Sequence, residues 1–333
     1  MIDQAAVVVV GGGITGVSIA YHLARAGIRE VALLEKGELT SGTTFHSAGL
    51  VTQFRTSLTD LRLMRWSVEL YRAIQAEEGE ASGWRPVGSL RLASTPAMLK
   101  ALRRSAGRAR AVGLDVALIG PAEAHRVFPA MTTEGLLGAV HVPGDGYVEP
   151  ASITAQLARR ARALGVSIHT GTLVTGIHLD ARGRVAGVAT GRGTIRAETV
   201  VNAAGQWAPR VARMAGVELP IVPLMHQYLT TRPVEGCPLP RETPVVRDPA
   251  NLVYLREETG GFLVGGFEPE PRPWAVDGVP WDFSQRLLPP EWGLFEPLLE
   301  GATRPTPPAP ATPLMDIPAA THSPGTPGTG PRA

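Results

Sequence analysis

Residues 5–27 read AAVVVVGGGITGVSIAYHLARAG, and this stretch decides the fold. A run of β-branched residues ends in glycines and passes into a segment whose Ile14, Val17, Tyr21 and Ala24 recur at helical spacing until Gly27 stops it. REVALLEK at 29–36 then reads as a second strand. Together they predict a β-α-β unit with Gly11, Gly13 and Gly16 in G-x-G-x-x-G register and Glu35 closing the second strand. Gly11 allows the tight turn, Gly13 admits a pyrophosphate to the backbone, and Gly16 permits close packing of helix on strand. The helix N-terminus offers unpaired N–H groups to phosphate, and the Glu35 carboxylate can accept ribose hydroxyls. A free acid at 35 disfavours NADP, whose extra phosphate it would repel.

The rest of the chain sets bounds. Its 333 residues with 44% hydrophobic content suffice for one large or two ordinary domains. A formal charge of +2, with scattered charged residues, gives no electrostatic footprint for nucleic acid, which is not expected as a partner. The lone Cys237 forms no internal disulfide, and no ligand spacing points to a metal. The N-terminal apolar run is too short to span a membrane, so a cytoplasmic protein without membrane contact is expected. Only Lys36 and Lys100 are lysines; the other basic residues are arginine.

Helices are expected over 57–79 and 96–113, and GDGYVEPASITAQLARRARALG at 144–165 restarts the turn-to-helix pattern. Strands follow at VSIHT, TLVTGIHLD and RVAGVAT, and TVVNAAGQW at 199–207 reads as a return to the nucleotide sheet with a turn at Ala204 and Gly205. Residues 217–303 read as mainly β. Nine of the thirty prolines fall in the last twenty-nine residues, which cannot bury enough surface to offset ordering entropy and are expected to be disordered.

LTSGTTFHSAGL at 39–50 places a histidine eleven residues past the ribose acid, in a loop that must run along the pyrophosphate toward a reactive ring. Small residues at Ser41, Gly42, Thr43 and Thr44 let that backbone come close and donate hydrogen bonds. This loop, with VVVVGGGITGVSIAYHLARAG and Glu35, resembles the flavin-dependent amine dehydrogenases related to dimethylglycine and sarcosine dehydrogenase, within the D-amino-acid-oxidase-like flavoproteins. The stretches at 144–166 and 199–217 are also similar, over about residues 5–303 in all. The resemblance implies an α/β chain (α+β overall): a Rossmann-type FAD-binding domain at 1–84 and 144–214, a discontinuous, mainly β substrate domain at 85–143 and 215–303, and a tail at 304–333.

It also implies FAD bonded covalently through His46, with Lys36, Ala204 and Gly205 at the cofactor. PLMHQYLTT and LVYLRE resemble the segments that supply the family's active-site histidine and tyrosine, which puts those roles on His226 and Tyr254. The implied reaction moves hydride from an N–CH₃ carbon of a small amine to the flavin and leaves an iminium that water hydrolyses. Arg55, shortly after the loop, and Arg256, on the same strand face as Tyr254, are candidate partners for a substrate carboxylate. Neither lysine is placed to activate oxygen, which favours an acceptor such as an electron-transfer flavoprotein. The similar text stops near LLEGATR at 298–304, before the closing segment over the flavin that family members carry. Two readings therefore stay open, an N-methylamine dehydrogenase and a noncatalytic relative like the regulatory subunit of pyruvate dehydrogenase phosphatase.

Overall fold

The computed structural model describes residues 2–303 and 319–322. The chain opens with β1 (Gln4–Val10), α1 (Ile14–Arg25) and β2 (Val31–Leu34), the β-α-β unit read from the sequence. The short β3 (Leu50–Val51) leads to α2 (Leu58–Glu78), capped by the Ser57 hydroxyl accepting from the Asp60 N–H. β4 (Trp84–Arg85), β5 (Ser89–Ala93), α3 (Pro96–Ala111), β6 (Ala117–Ile119), α4 (Pro121–Val127), β7 (Gly138–Val142) and β8 (Gly146–Val148) follow. α3 starts where a Thr95 cap and Pro96 in the first turn predispose it to. Then come α5 (Pro150–Ala163), β9 (Ser167–His169), β10 (Val174–Leu179), β11 (Val185–Thr190), β12 (Gly193–Asn202) and α6 (Ala208–Arg213). The last part holds β13 (Leu224–Thr230), β14 (Val245–Asp248), β15 (Val253–Glu258), β16 (Gly261–Gly266), α7 (Trp292–Thr303) and β17 (Ala319–His322).

A six-stranded sheet runs β10-β11-β12-β1-β2-β9, parallel from β12 to β9. Its central strand is buried on both faces. Val9 packs with α1, α5 and α2 through Val17, Leu157 and Val68, while Val8 and Val10 pack with Val188, Ile195 and Val211 on the other side. Burial on both faces is why 5–10 reads as an unbroken apolar run instead of an alternating one.

An eight-stranded sheet runs β17-β13-β16-β15-β14-β5-β7-β6. Its strands come from 89–142 and from 224–266, joined where β14 lies parallel to β5, with the further strand at 319–322. One face is apolar: Leu90, Val246, Leu255, Val264 and Leu229 pack with Phe128, Phe295 and Leu298. The alternate residues, Arg247, Tyr254 and Tyr228 among them, give the other face a polar character. Most of the tail lies outside the described residues; within it, Ala319–His322 pair antiparallel with β13, which differs from the disorder expected there. This short stretch is free of proline, so it can offer the backbone donors that the free edge of β13 takes.

Candidate active site

Val10 ends β1 and Gly11 turns at φ +117°, its N–H donating to the Leu34 carbonyl at 2.9 Å. A Cβ on Gly11 would lie 2.3 Å from the Ala203 carbonyl oxygen, and one on Gly16 would lie 1.9 Å from the Gly11 carbonyl oxygen. Only glycine fits either place. Gly13 precedes α1 without a side-chain cap, and the Ile14 N–H donates to the Thr44 hydroxyl at 3.1 Å. The 40–46 loop thus arches over the positive end of α1, where phosphate is favoured. Thr40 holds φ +67°, costly for a β-branched residue, while its N–H donates to the Gly12 carbonyl at 3.0 Å.

Glu35 is fixed by backbone donors: Gly12 N–H to Oε2 at 2.6 Å and Gly37 N–H to Oε1 at 2.8 Å. Each oxygen keeps a lone pair for a ribose hydroxyl. Lys36 turns to other work, its Nζ donating to the Trp281 carbonyl at 3.0 Å and lying 4.2 Å from the Trp207 ring centroid. Burial holds its pKa below the usual lysine range, against the opposing pull of Glu35 and Asp282. Ser41 is buried, and its carbonyl accepts from the Gln285 N–H at 3.0 Å. The Ala204 N–H donates to Asn202 Oδ1 at 3.2 Å, and Gly205 turns at φ +54°.

His46 is 3% exposed and packs against Phe45, ring centroids 3.7 Å apart. Burial pushes its pKa down to about 4, so the ring is neutral at ordinary pH. Its Nδ1 is buried with no hydrogen-bond partner among the described residues, as are Thr43 Oγ1 and both amide atoms of Gln206. Buried polar atoms are nearly always paired, so these orphans around the glycine turn fit a polar ligand such as FAD lying in the cradle. Gln206 was not singled out from the sequence, although it directly follows the Ala204 and Gly205 turn.

The second group of residues lies on the polar face of the eight-stranded sheet. His226 on β13 stands between two partners: Nε2 is 3.1 Å from the Tyr254 hydroxyl and Nδ1 is 3.0 Å from Glu268 Oε2. Glu268 is buried and also accepts from the Gln227 N–H at 3.1 Å. Burial raises the Tyr254 pKa, so the phenol stays protonated. A Cβ on Gly265, the register partner of Tyr254, would lie 2.3 Å from the phenol oxygen; the missing side chain is what lets the ring lie across β16 toward His226. Glu268 was missed because nothing in the spacing of an acid after a strand says that it faces a histidine 42 residues earlier.

The two candidate arginines separate. Arg256 is engaged throughout: Nε donates to the Ala48 carbonyl at 2.9 Å, Nη1 to the Glu257 carbonyl at 2.7 Å, and Nη2 pairs with Glu258 at 2.6 Å. Its guanidinium also lies over Tyr147, 4.7 Å from the ring centroid. Arg55 donates to Thr52 Oγ1 at 2.6 Å and has no ion pair among the described residues. Its charge is felt by Arg91 and Arg247, two half-buried arginines that sequence reasoning did not single out. Burial and the neighbouring Arg55 and Arg91 push Arg247 down to about 10. Asp145, fully buried, holds Gln53 and Ser89, with Ser89 Oγ donating to it at 2.6 Å.

The model of the FAD dependent oxidoreductase family, DAO, matches residues 6–314. The chain belongs to this family. It is 38% identical to dimethylglycine dehydrogenase of Rattus norvegicus over 292 residues, 86% of this chain and 34% of that protein. It is 39% identical to human sarcosine dehydrogenase over 305 residues, 90% of this chain and 33% of that protein. The chain thus spans about a third of the length of these curated relatives. Among solved structures, the L-proline dehydrogenase from P. horikoshii is similar with a TM-score of 0.83 and 27% identity, covering 97% of this chain and 82% of that one. These relatives agree with the FAD-dependent oxidoreductase fold built above. Among the described residues, no helix is long and apolar enough to cross a membrane, and no cluster of potential metal ligands occurs.

Proposed function

We propose that this chain oxidises the N-methyl C–H bond of a small secondary or tertiary amine of the dimethylglycine or sarcosine kind. The observation that carries the reading is the Glu268–His226–Tyr254 chain of hydrogen bonds on the polar sheet face, together with the names of the relatives. When bound, FAD supplies the two-electron acceptor for that bond. The cradle residues Gly11, Gly13, Gly16, Glu35, Thr43, Thr44, Ala204, Gly205 and Gln206 would hold it, and His46 would bond to it covalently. The neutral, unpartnered Nδ1 of His46 suits attachment, because a protonated nitrogen has no lone pair to give.

The protein's own part is protonic. Glu268 accepts from Nδ1–H and so fixes the tautomer that leaves Nε2 with a lone pair. That lone pair faces the Tyr254 hydroxyl and can take the proton of an incoming ammonium group, either directly or through the phenol. A neutral amine is the form that gives up hydride readily. Arg55 is available for a substrate carboxylate. Lys36 is tied to Trp281 and Lys100 is exposed on α3, so the acceptor we infer is a protein such as an electron-transfer flavoprotein in preference to oxygen.

The test has three readouts. The purified chain should show an oxidised flavin spectrum, keep its colour after acid precipitation, and release formaldehyde from dimethylglycine faster with an artificial dye than with oxygen. A colourless chain that takes up no FAD would end the reading; a flavoprotein that releases all its FAD in acid would remove the covalent bond alone.

A further inference from the structure

We infer that segment 279–285 is a further wall of the FAD site: a strap that closes the ribose end of the cradle, brings the Ser284 hydroxyl to the space beside Glu35, and is latched down by Lys36. The inference rests on the reading that FAD occupies the glycine-turn cradle.

The segment comes after β16, yet its carbonyls are taken by side chains from the glycine-turn side of the molecule. Lys36, just past β2, donates from Nζ to the Trp281 carbonyl at 3.0 Å and to the Phe283 carbonyl at 3.4 Å. Trp207 Nε1 donates to the Pro280 carbonyl at 2.9 Å, and Arg210 on α6 donates to the Val279 carbonyl at 2.8 Å while its guanidinium lies 4.4 Å from the Trp281 ring centroid. The Gln285 N–H ends the row on the Ser41 carbonyl at 3.0 Å. None of these ties belongs to a helix or a strand ladder, so the segment can lift without breaking either sheet. Phe283 gives it an apolar foothold, packing with Trp274, Met225 and Leu288. Ala275 at φ +49° and Gln285 at φ +48° bracket it, both in the left-handed region that costs a residue with a side chain. A hinge absorbs its change of backbone angle at a few such loop positions.

What the strap covers is the ribose end. A Cβ on Gly37 would lie 3.0 Å from Ser41 Oγ, 3.5 Å from Ser284 Oγ and 3.7 Å from Glu35 Oε1. Oxygens from three segments of chain thus surround one small space next to the acid suited to a ribose hydroxyl. Among the described residues neither serine hydroxyl makes a hydrogen bond, so each keeps a donor and lone pairs for a ligand. A ribose presents two neighbouring hydroxyls, and a carboxylate flanked by hydroxyls can pair with both. Lys36 gives its ammonium to the strap instead, and so works as a latch and not as a cofactor ligand.

The experiment uses the full chain with His46→Ala, in which FAD cannot bond covalently, and follows flavin fluorescence as FAD is taken up and released. Lys36→Met should speed release by about ten- to a hundredfold, the loss of charge-assisted hydrogen bonds, and should speed uptake as well, so that affinity falls by less than the release rate rises. Loss of a direct ligand would speed release and leave uptake as it was. Trp207→Phe keeps the ring and loses only the tie to Pro280, and should move both rates the same way by about two- to tenfold; Lys100→Met, exposed on α3, should move neither. The ribose contact is read on the FAD-free chain by titration calorimetry with ADP, 2′-deoxy-ADP and 3′-deoxy-ADP. Ser284→Ala should weaken ADP by about two- to tenfold and leave one of the deoxy probes unaffected, because the partner hydroxyl is already gone. Hydrogen exchange of the amides at 281–286 should slow when ADP binds. Unchanged FAD rates in both Lys36→Met and Trp207→Phe would overturn the strap, as would faster release without faster uptake, and a Ser284→Ala loss equal on all three probes would remove the ribose contact. These results arise in a chain that binds FAD, which separates them from a chain that takes up neither FAD nor ADP in any variant; that result would end the cofactor reading and the strap together.

Discussion

His46 is neutral where a surface histidine would be half charged, and that has a measurable consequence. Its unfolded pKa is near 6.5 and its folded one near 4, so between those values unfolding takes up a proton. The stability it contributes is full above about pH 6.5 and is lost as pH falls toward 4, by about 3 kcal/mol. In flavin-free protein, denaturant titrations at several pH values should show this slope, and His46→Asn should lessen it by that amount; parallel curves for the two proteins would mean that the ring is solvated. Glu268 carries the second prediction at this scale. Glu268→Gln keeps the shape but weakens the hold on the His226 tautomer, so turnover should fall about tenfold or more, a part of the 10²–10⁴ that acid–base help supplies in full. Its pH–rate profile should shift, whereas a purely structural role would lower the melting point and leave the profile in place. His46 drew notice as an imidazole in a loop of glycine, serine and threonine, and the resemblance of that loop gave it a role. Glu268 was not legible, because its meaning comes from a histidine 42 residues earlier on β13.

At the scale of elements, local signals and structure agree where the signal is backbone chemistry. α1 begins after Gly13, α3 after Thr95 with Pro96 in its first turn, and α5 after Glu149, which caps it by accepting from the Ala151 N–H at 3.2 Å. What the sequence hides is why one strand glycine is there. Gly265 reads as a weak point in an apolar strand, yet it is the floor under Tyr254. Gly265→Ala would put a methyl 2.3 Å from both Cζ and the hydroxyl oxygen, and the ring must swing away from His226. Turnover should collapse while FAD stays bound and the melting point falls by only a few degrees. The contrast is Gly16→Ala, where the obstruction is the Gly11 backbone at 1.9 Å and cannot swing away. That variant should lose the flavin itself. Measuring bound flavin by absorbance alongside turnover separates the two; equal loss of flavin in both would show that β16 belongs to the cradle.

Over the whole molecule, the fold class was readable from 5–36 because a buried parallel strand, a glycine turn and an acid at set spacing leave few alternatives. How the glycine-turn side of the molecule is tied to β15 and to the loop after β16 was not, since those contacts include single polar side chains reaching backbone carbonyls. Lys36 reaches Trp281, Trp207 Nε1 reaches Pro280 at 2.9 Å, Arg210 reaches Val279 at 2.8 Å, and Arg256 on β15 reaches Ala48 in the histidine loop. Arg256 was read from the sequence as a carboxylate partner because it shares a strand face with Tyr254, but each of its three nitrogens already has a protein partner. Its task is to hold the loop that carries His46 at a fixed distance from the strand that carries Tyr254. Arg256→Met should therefore cost about 1–3 kcal/mol of stability, speed hydrogen exchange of the amides at 47–51, and slow turnover through misplacement, since about 1 Å can cost on the order of a hundredfold. Lost turnover in Arg256→Met with stability and exchange at 47–51 unchanged would make Arg256 a substrate ligand after all, and its anchoring of the Ala48 carbonyl would not be what turnover needs.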